Sequence, residues 1–189
     1  MPAAYVYRVR QFVQAVGSWF QTEKADDGMT AGYLPPEAVT LFRAMSHYDR
    51  RHALHVLRAL QATGRTEPDL LAAALLHDAG KSGQQPGQRL EEQGVGRRAG
   101  RVRLWHRVAT VLLRVAWPGL LERIGEDSRP GGWRYPFYVH LHHAAIGASL
   151  AEQAGCSPRT VDLIRRHKDP AAVAGDPLLV ALQGADNES

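Results

Sequence analysis

Apolar residues recur at the three-and-four spacing of an α-helix along nearly the whole chain, and no stretch alternates at the period of two that a half-buried strand needs. That pattern restricts the fold to packed helices. Prolines and glycines then mark where the helices begin and end. A first helix is expected over residues 3–20, followed by a polar, glycine-containing loop over 22–34. Pro35-Pro36 opens a long helical stretch to about Ala62, with the second proline in the first turn, where its missing N–H costs nothing. Thr63-Gly64 ends that stretch. Pro68 opens a helix to about Ala79, with Gly80 as its stop. Helical character resumes over 101–116 and briefly over 118–124, then over 136–154 up to Gly155. Ser157-Pro158 and Asp176-Pro177 each pair a capping residue with a proline, so each opens a further helix, the first ending near His167.

The chain has 189 residues, of which 44% are hydrophobic and 22% charged, enough for one domain with its own core. The expected architecture is all-α, a single-domain helical bundle. An N-terminal helix and loop (1–34) would pack on a domain of residues 35–189. An Arg/Gly-rich insertion at about 82–134 interrupts that domain. The single cysteine, Cys156, rules out a disulfide within one chain and is compatible with a reducing compartment. The start MPAAYVYRVRQF lacks the apolar core of a signal peptide. The most hydrophobic stretch, 108–121, is short and contains Arg114 and Pro118, which makes a poor membrane span. A cytoplasmic location is expected.

Net charge is +4, but it is unevenly spread. Residues 82–134 hold ten arginines against five acidic residues, an excess of +5 that exceeds that of the whole chain. The bland reading is a solvated face with a loop. The sharper readings are an anion-attracting lid, a nucleic-acid surface or a patch facing an anionic membrane.

Titratable residues on core-facing stripes are the informative ones, because a lone buried polar group is costly. Residues 70–81 read LLAAALLHDAGK, an apolar helix ending in adjacent His77 and Asp78. An imidazole and a carboxylate at such an end can share a metal ion. The competing explanation, a histidine favoured by the helix dipole, does not cover the aspartate, whose charge is wrong there. The segment AALLHDAGK resembles the signature of the HD superfamily of metal-dependent phosphohydrolases. Upstream, RRHALHVLRAL (50–60) resembles the family's earlier histidine, with His52 as the match and His55 as its competitor. His52 shares a helical row with Val56, Ala59 and Leu60, whereas His55 has Arg51 and Arg58 as neighbours. Near the end, LLVALQGADN (178–187) resembles the family's late aspartate, which is Asp186 here and follows Leu179 and Leu182 on one face. The resemblance implies a first metal held by His52, His77, Asp78 and Asp186.

Some branches of the superfamily hold a second metal. HAAIGASLAEQAG (143–155) matches their third histidine with His143, which heads a continuous stripe through Ile146, Gly147, Leu150, Ala151 and Ala154. Gly147 would admit another backbone or a ligand, and His140 lies one turn earlier on nearly the same face. The family's next element is a His-His pair. Here LIRRHKD supplies His167 and puts Lys168 in the second place. The cofactor expected is one or two divalent ions per chain, of Mn, Fe, Co, Ni, Zn or Mg. The sequence GYP of the cyclic-dinucleotide phosphodiesterase branch is absent at the matching region.

What the resemblance implies is hydrolysis of a phosphomonoester or phosphodiester by metal-bound hydroxide, with Asp78 bridging two metals if two are present. The substrate would be nucleotide-like or another small phosphorylated compound. Charge developing on phosphoryl oxygens needs a cationic partner, and Lys81, just past the motif, is the first candidate. The alternative is a non-catalytic, metal-stabilised module that binds nucleic acid or an anionic membrane surface through its Arg-rich segment.

Overall fold

The computed structural model describes residues 30–82, 110, 118–126, 132–170 and 175–188. Among them are seven α-helices, one 3-10 turn and no strand, so the all-α architecture expected from the periodicity is the one found. The helices are α1 (Pro36–Ala44), α2 (His47–Ala62), α3 (Pro68–Leu76), α4 (Pro118–Gly125), α5 (Tyr135–Gln153), α6 (Pro158–Arg166) and α7 (Pro177–Glu188). The 3-10 turn, Ala79–Ser82, follows α3. The helix expected over 3–20, that over 101–116 and most of the Arg/Gly-rich insertion lie outside the described residues.

α3 is the axis of the bundle. Every residue from Leu70 to Leu76 is buried, as a helix apolar on all sides requires. α2, α6 and α7 pack around it, and α5 lies against both the 3-10 turn and α6. Phe42, Leu57, Leu75, Leu163, Ile164 and Leu182 are among the fully buried side chains that join these faces. The starts of α3 and α6 are tied by the Asp69 carboxylate, which accepts hydrogen bonds from Ser157 and Thr160. No helix is long and apolar enough to cross a membrane among the described residues.

Two boundaries differ from the sequence expectation. The single stretch from Pro36 to Ala62 is two helices, parted at Met45-Ser46. Ser46 caps α2 by accepting from the Asp49 N–H at 3.1 Å and donating to the Asp49 carboxylate. The Ser-x-x-Asp spacing is a helix-start signal that continuous periodicity concealed. Gly80 does not stop a helix through a left-handed conformation. α3 closes earlier, with His77 as its C-cap, and only Gly64 and Gly155 have positive φ among the described residues. The other expected start and stop signals act as read. Gly64 and Gly155 follow α2 and α5, Ser157 accepts from the Thr160 N–H, and Asp176 accepts from the Leu178 N–H.

What Gly80 provides is room. A Cβ placed there would lie 2.1 Å from the His143 carbonyl oxygen and 2.8 Å from the Gly147 nitrogen. Gly147 returns the contact, with its own Cβ position 3.1 Å from the Gly80 nitrogen. The close approach read at Gly147 is therefore made by the Gly80 backbone. It brings the turn that follows His77-Asp78 onto the helix that carries His143.

Candidate metal centre

Four helices and the end of α3 bring the expected ligands together. His52 projects from α2, His77 caps α3, Asp78 follows it, His143 lies on α5, His167 caps α6 and Asp186 lies on α7. The four imidazoles form an arc. Ring centroids are 5.2 Å apart for His52 and His77, 5.3 Å for His77 and His167, and 5.2 Å for His167 and His143.

Their orientation has a backbone cause. The Nδ1 atoms of His77, His143 and His167 lie 2.9, 2.7 and 2.6 Å from the carbonyl oxygens three residues earlier, of Ala74, His140 and Ile164. For His77 and His167 this uses carbonyls that a helix end leaves short of donors. With Nδ1–H donating to a carbonyl, Nε2 is the nitrogen each ring leaves for the cluster around Asp78. All three Nε2 atoms are buried and have no hydrogen-bond partner. Buried polar atoms are rarely left so, and an imidazole fixed through Nδ1 with Nε2 presented is the arrangement of a metal-ligating histidine.

Among the described residues, two groups of side chains can hold a cation. His52, His77 and Asp78 offer ligand atoms that all lie within 4.8 Å of one another, and so do Asp78, His143 and His167. Asp78 belongs to both. Its carboxylate is 3.7 Å from His77 Nε2 and 3.5 Å from His143 Nε2. Asp186 joins the first group through Oδ1, which is 2.8 Å from His52 Nε2 and 3.4 Å from His77 Nε2.

Each carboxylate also meets a lysine. Lys81 Nζ lies 2.6 Å from Asp78, and Lys168 Nζ lies 2.6 Å from Asp186 Oδ2. Lys81 is thus not a solvated lysine at a helix end, since its side chain is only 12% exposed. Burial disfavours a charged Asp78, but Lys81 and His77 outweigh it and hold the carboxyl well below its usual range. Burial also opposes charge on Asp186, but the hydrogen bond with His52, with His77 and Lys168 close by, depresses its pKa. Burial likewise opposes a protonated His77, yet Asp78 and Asp186 raise its pKa. A divalent cation would meet those same two carboxylates and compete with that proton for Nε2. Burial, helped by Lys81, pushes His143 well below the usual histidine value, and burial with His77 nearby brings His167 down to about 3. Those two rings are neutral, which is the ligating form.

All the expected site residues converge here, namely His52, His77, Asp78, Lys81, His143, His167 and Asp186. His55 is exposed and belongs to neither group. His140 lies one turn from His143, with ring centroids 6.0 Å apart, and also stays outside both groups. Replacing His52 by alanine should weaken metal binding about 100-fold or more, because losing an outer partner alone costs about 10- to 100-fold. His55→Ala should leave it unchanged, and competition with a chelating dye compares the two variants.

One supporting residue escaped the sequence reading. Gln183 on α7 donates to the His167 carbonyl at 3.3 Å and to the Asp169 carbonyl at 2.9 Å. It pins the end of α6 to the helix that carries Asp186. A polar residue between Leu179 and Asp186 on an apolar face is the signal that marks it. No family model, curated protein or solved structure matches this chain.

Proposed function

We propose that this protein is a metal-dependent phosphohydrolase of the HD type, cleaving a phosphomonoester or phosphodiester of a small phosphorylated compound. The observation that carries the reading is the sharing of Asp78 by two mostly buried groups of side chains that could each hold a cation. Phosphoryl transfer depends on positioning and on balancing charge, and paired cations a short distance apart serve both ends. The motifs that resemble the HD superfamily contribute the same residues, in the same chain order, as those the cleft assembles.

His52, His77, Asp78 and Asp186 would hold one ion, and Asp78, His143 and His167 a second. When bound, a divalent ion supplies a water acidic enough to lose a proton near neutral pH and polarises a phosphoryl oxygen. Asp78 would serve both sets, because it is the one residue they share. The Nδ1–H bonds hold the three buried rings rigid, so little reorganisation is required on loading. Lys81 and Lys168 add positive charge beside the two carboxylates, where an anionic substrate needs it.

The test is to purify the protein, measure bound metal, and screen phosphate esters with Mn, Fe, Co, Ni, Zn and Mg ions. Metal-dependent turnover is expected, lost in His77→Ala. Metal at about 100 times its Kd should also stabilise the fold by about 2.7 kcal/mol. Turnover that persists unchanged in both His77→Ala and Asp78→Ala sinks the mechanism. Salt-sensitive binding to nucleic acid or anionic vesicles with no turnover would favour the non-catalytic module instead.

A further inference from the structure

Lys168 stands where the resemblance would place a second histidine, and its geometry suggests a different task. Asp186 divides its two oxygens. Oδ1 faces His52 and His77, while Oδ2 is 2.6 Å from Lys168 Nζ. The Asp186 side chain is 10% exposed, but that of Lys168 is 49% exposed, so the lysine lies on the solvent side of the centre. Its backbone is held on both sides, because Gln183 binds the carbonyls of His167 and Asp169. The other nearby acid, Asp169, is engaged by Arg166 at 3.5 Å.

Two carboxylates, Asp78 and Asp186, face two ammonium groups, Lys81 and Lys168. A divalent ion that draws on Asp186 weakens the hold of that carboxylate on Lys168 and leaves the cleft with excess positive charge. Lys81 is mostly covered beside Asp78, with 12% of its side chain exposed, whereas Lys168 is the more solvent-exposed of the two.

We propose that Lys168 is an anion-binding residue of this centre, held by Asp186 in the metal-free protein and turned to a phosphoryl oxygen once a cation takes over that carboxylate. This rests on the metal-centre reading above. It makes Lys168 a competitor of the metal and a partner of the substrate, so its removal affects the two in opposite directions. Removing a lysine that merely supported Asp186 would weaken both.

The test uses Mn2+ and inorganic phosphate with the full chain and with Lys168→Met. Mn2+ affinity is read by chelator competition. Phosphate affinity of the Mn2+-loaded protein is read by calorimetry. Lys168→Met should bind Mn2+ a few-fold more tightly, since a partly exposed ion pair competes only weakly. It should bind phosphate about tenfold more weakly or worse, as expected for a lost charged hydrogen bond. Unchanged phosphate affinity overturns the proposal, and so does a loss of phosphate and Mn2+ affinity together. An unaltered protein that takes up Mn2+ but binds no phosphate also overturns it. Neither binding measurement needs turnover, so failure of the hydrolase reading appears separately, as a protein that binds Mn2+ and phosphate but cleaves no ester.

Discussion

Asp78→Asn is expected to remove both metal positions at once and to lower any metal-dependent turnover on the order of 1000-fold or more, since even one lost electrostatic stabiliser costs about 100- to 1000-fold. The reason is the double membership of Asp78, the residue common to both cation-holding groups. The amide keeps the shape and loses the charge. It also leaves Lys81 with no carboxylate at 2.6 Å in a site where that lysine is 12% exposed. Breaking a buried pair from one side costs about 3–5 kcal/mol, somewhat less where one partner still reaches water. The metal-free variant should therefore melt earlier than the unaltered protein. Adding Lys81→Met removes the stranded charge, so the double variant should regain most of the stability while still binding no metal. Denaturant unfolding and metal analysis together separate the two effects. An Asp78→Asn protein that keeps its metal content and affinity would overturn the assignment.

Gly80→Ala should destabilise the fold by about 3 kcal/mol or more, at or beyond the upper end of what overpacking costs. The added methyl would sit 2.1 Å from the His143 carbonyl oxygen and 2.9 Å from the His143 carbonyl carbon. Both are backbone atoms of α5, so no side-chain rotation relieves the clash. The turn and α5 must move apart, which separates Asp78 from His143. Affinity for a second metal should fall more than affinity for the first. Gly147→Ala is milder, because its nearest contacts are at 3.1 and 3.5 Å. Gly184→Ala is the control from the opposite direction. It lies on α7 with nothing within 4 Å of its Cβ position, so alanine should stabilise that helix by about 0.5–1 kcal/mol. Thermal melts of the three variants rank them, and a Gly80→Ala protein as stable as Gly184→Ala would refute the close-packing argument.

Much of the centre was legible residue by residue. His52 differs from His55 in sharing a helical row with apolar residues, and the fold exposes His55. Asp186 followed from the same logic on α7. The caps at Ser157 and Asp176 were readable because a capping side chain meets N–H groups two or three residues on, a purely local event. Local signals mislead where two of them compete. Unbroken periodicity hides the break at Ser46, and at Gly80 the missing side chain matters more than the backbone freedom that glycine signals. Lys168 read as a departure from a motif, since nothing nearby in the chain announces its partner eighteen positions later.

Local periodicity was enough to establish an all-α chain, the helical faces, and the identity of the residues able to bind a cation, because a 3.6-residue repeat sorts side chains by face without reference to the rest of the molecule. Which faces meet is another matter. His52 reaches Asp186 across 134 positions, Gly80 meets Gly147, and Asp78 serves two groups, and each of these depends on how buried surfaces from distant helices close-pack around α3. That packing turns a set of suitable side chains into two adjoining groups that could each hold a cation, with a lysine on each carboxylate.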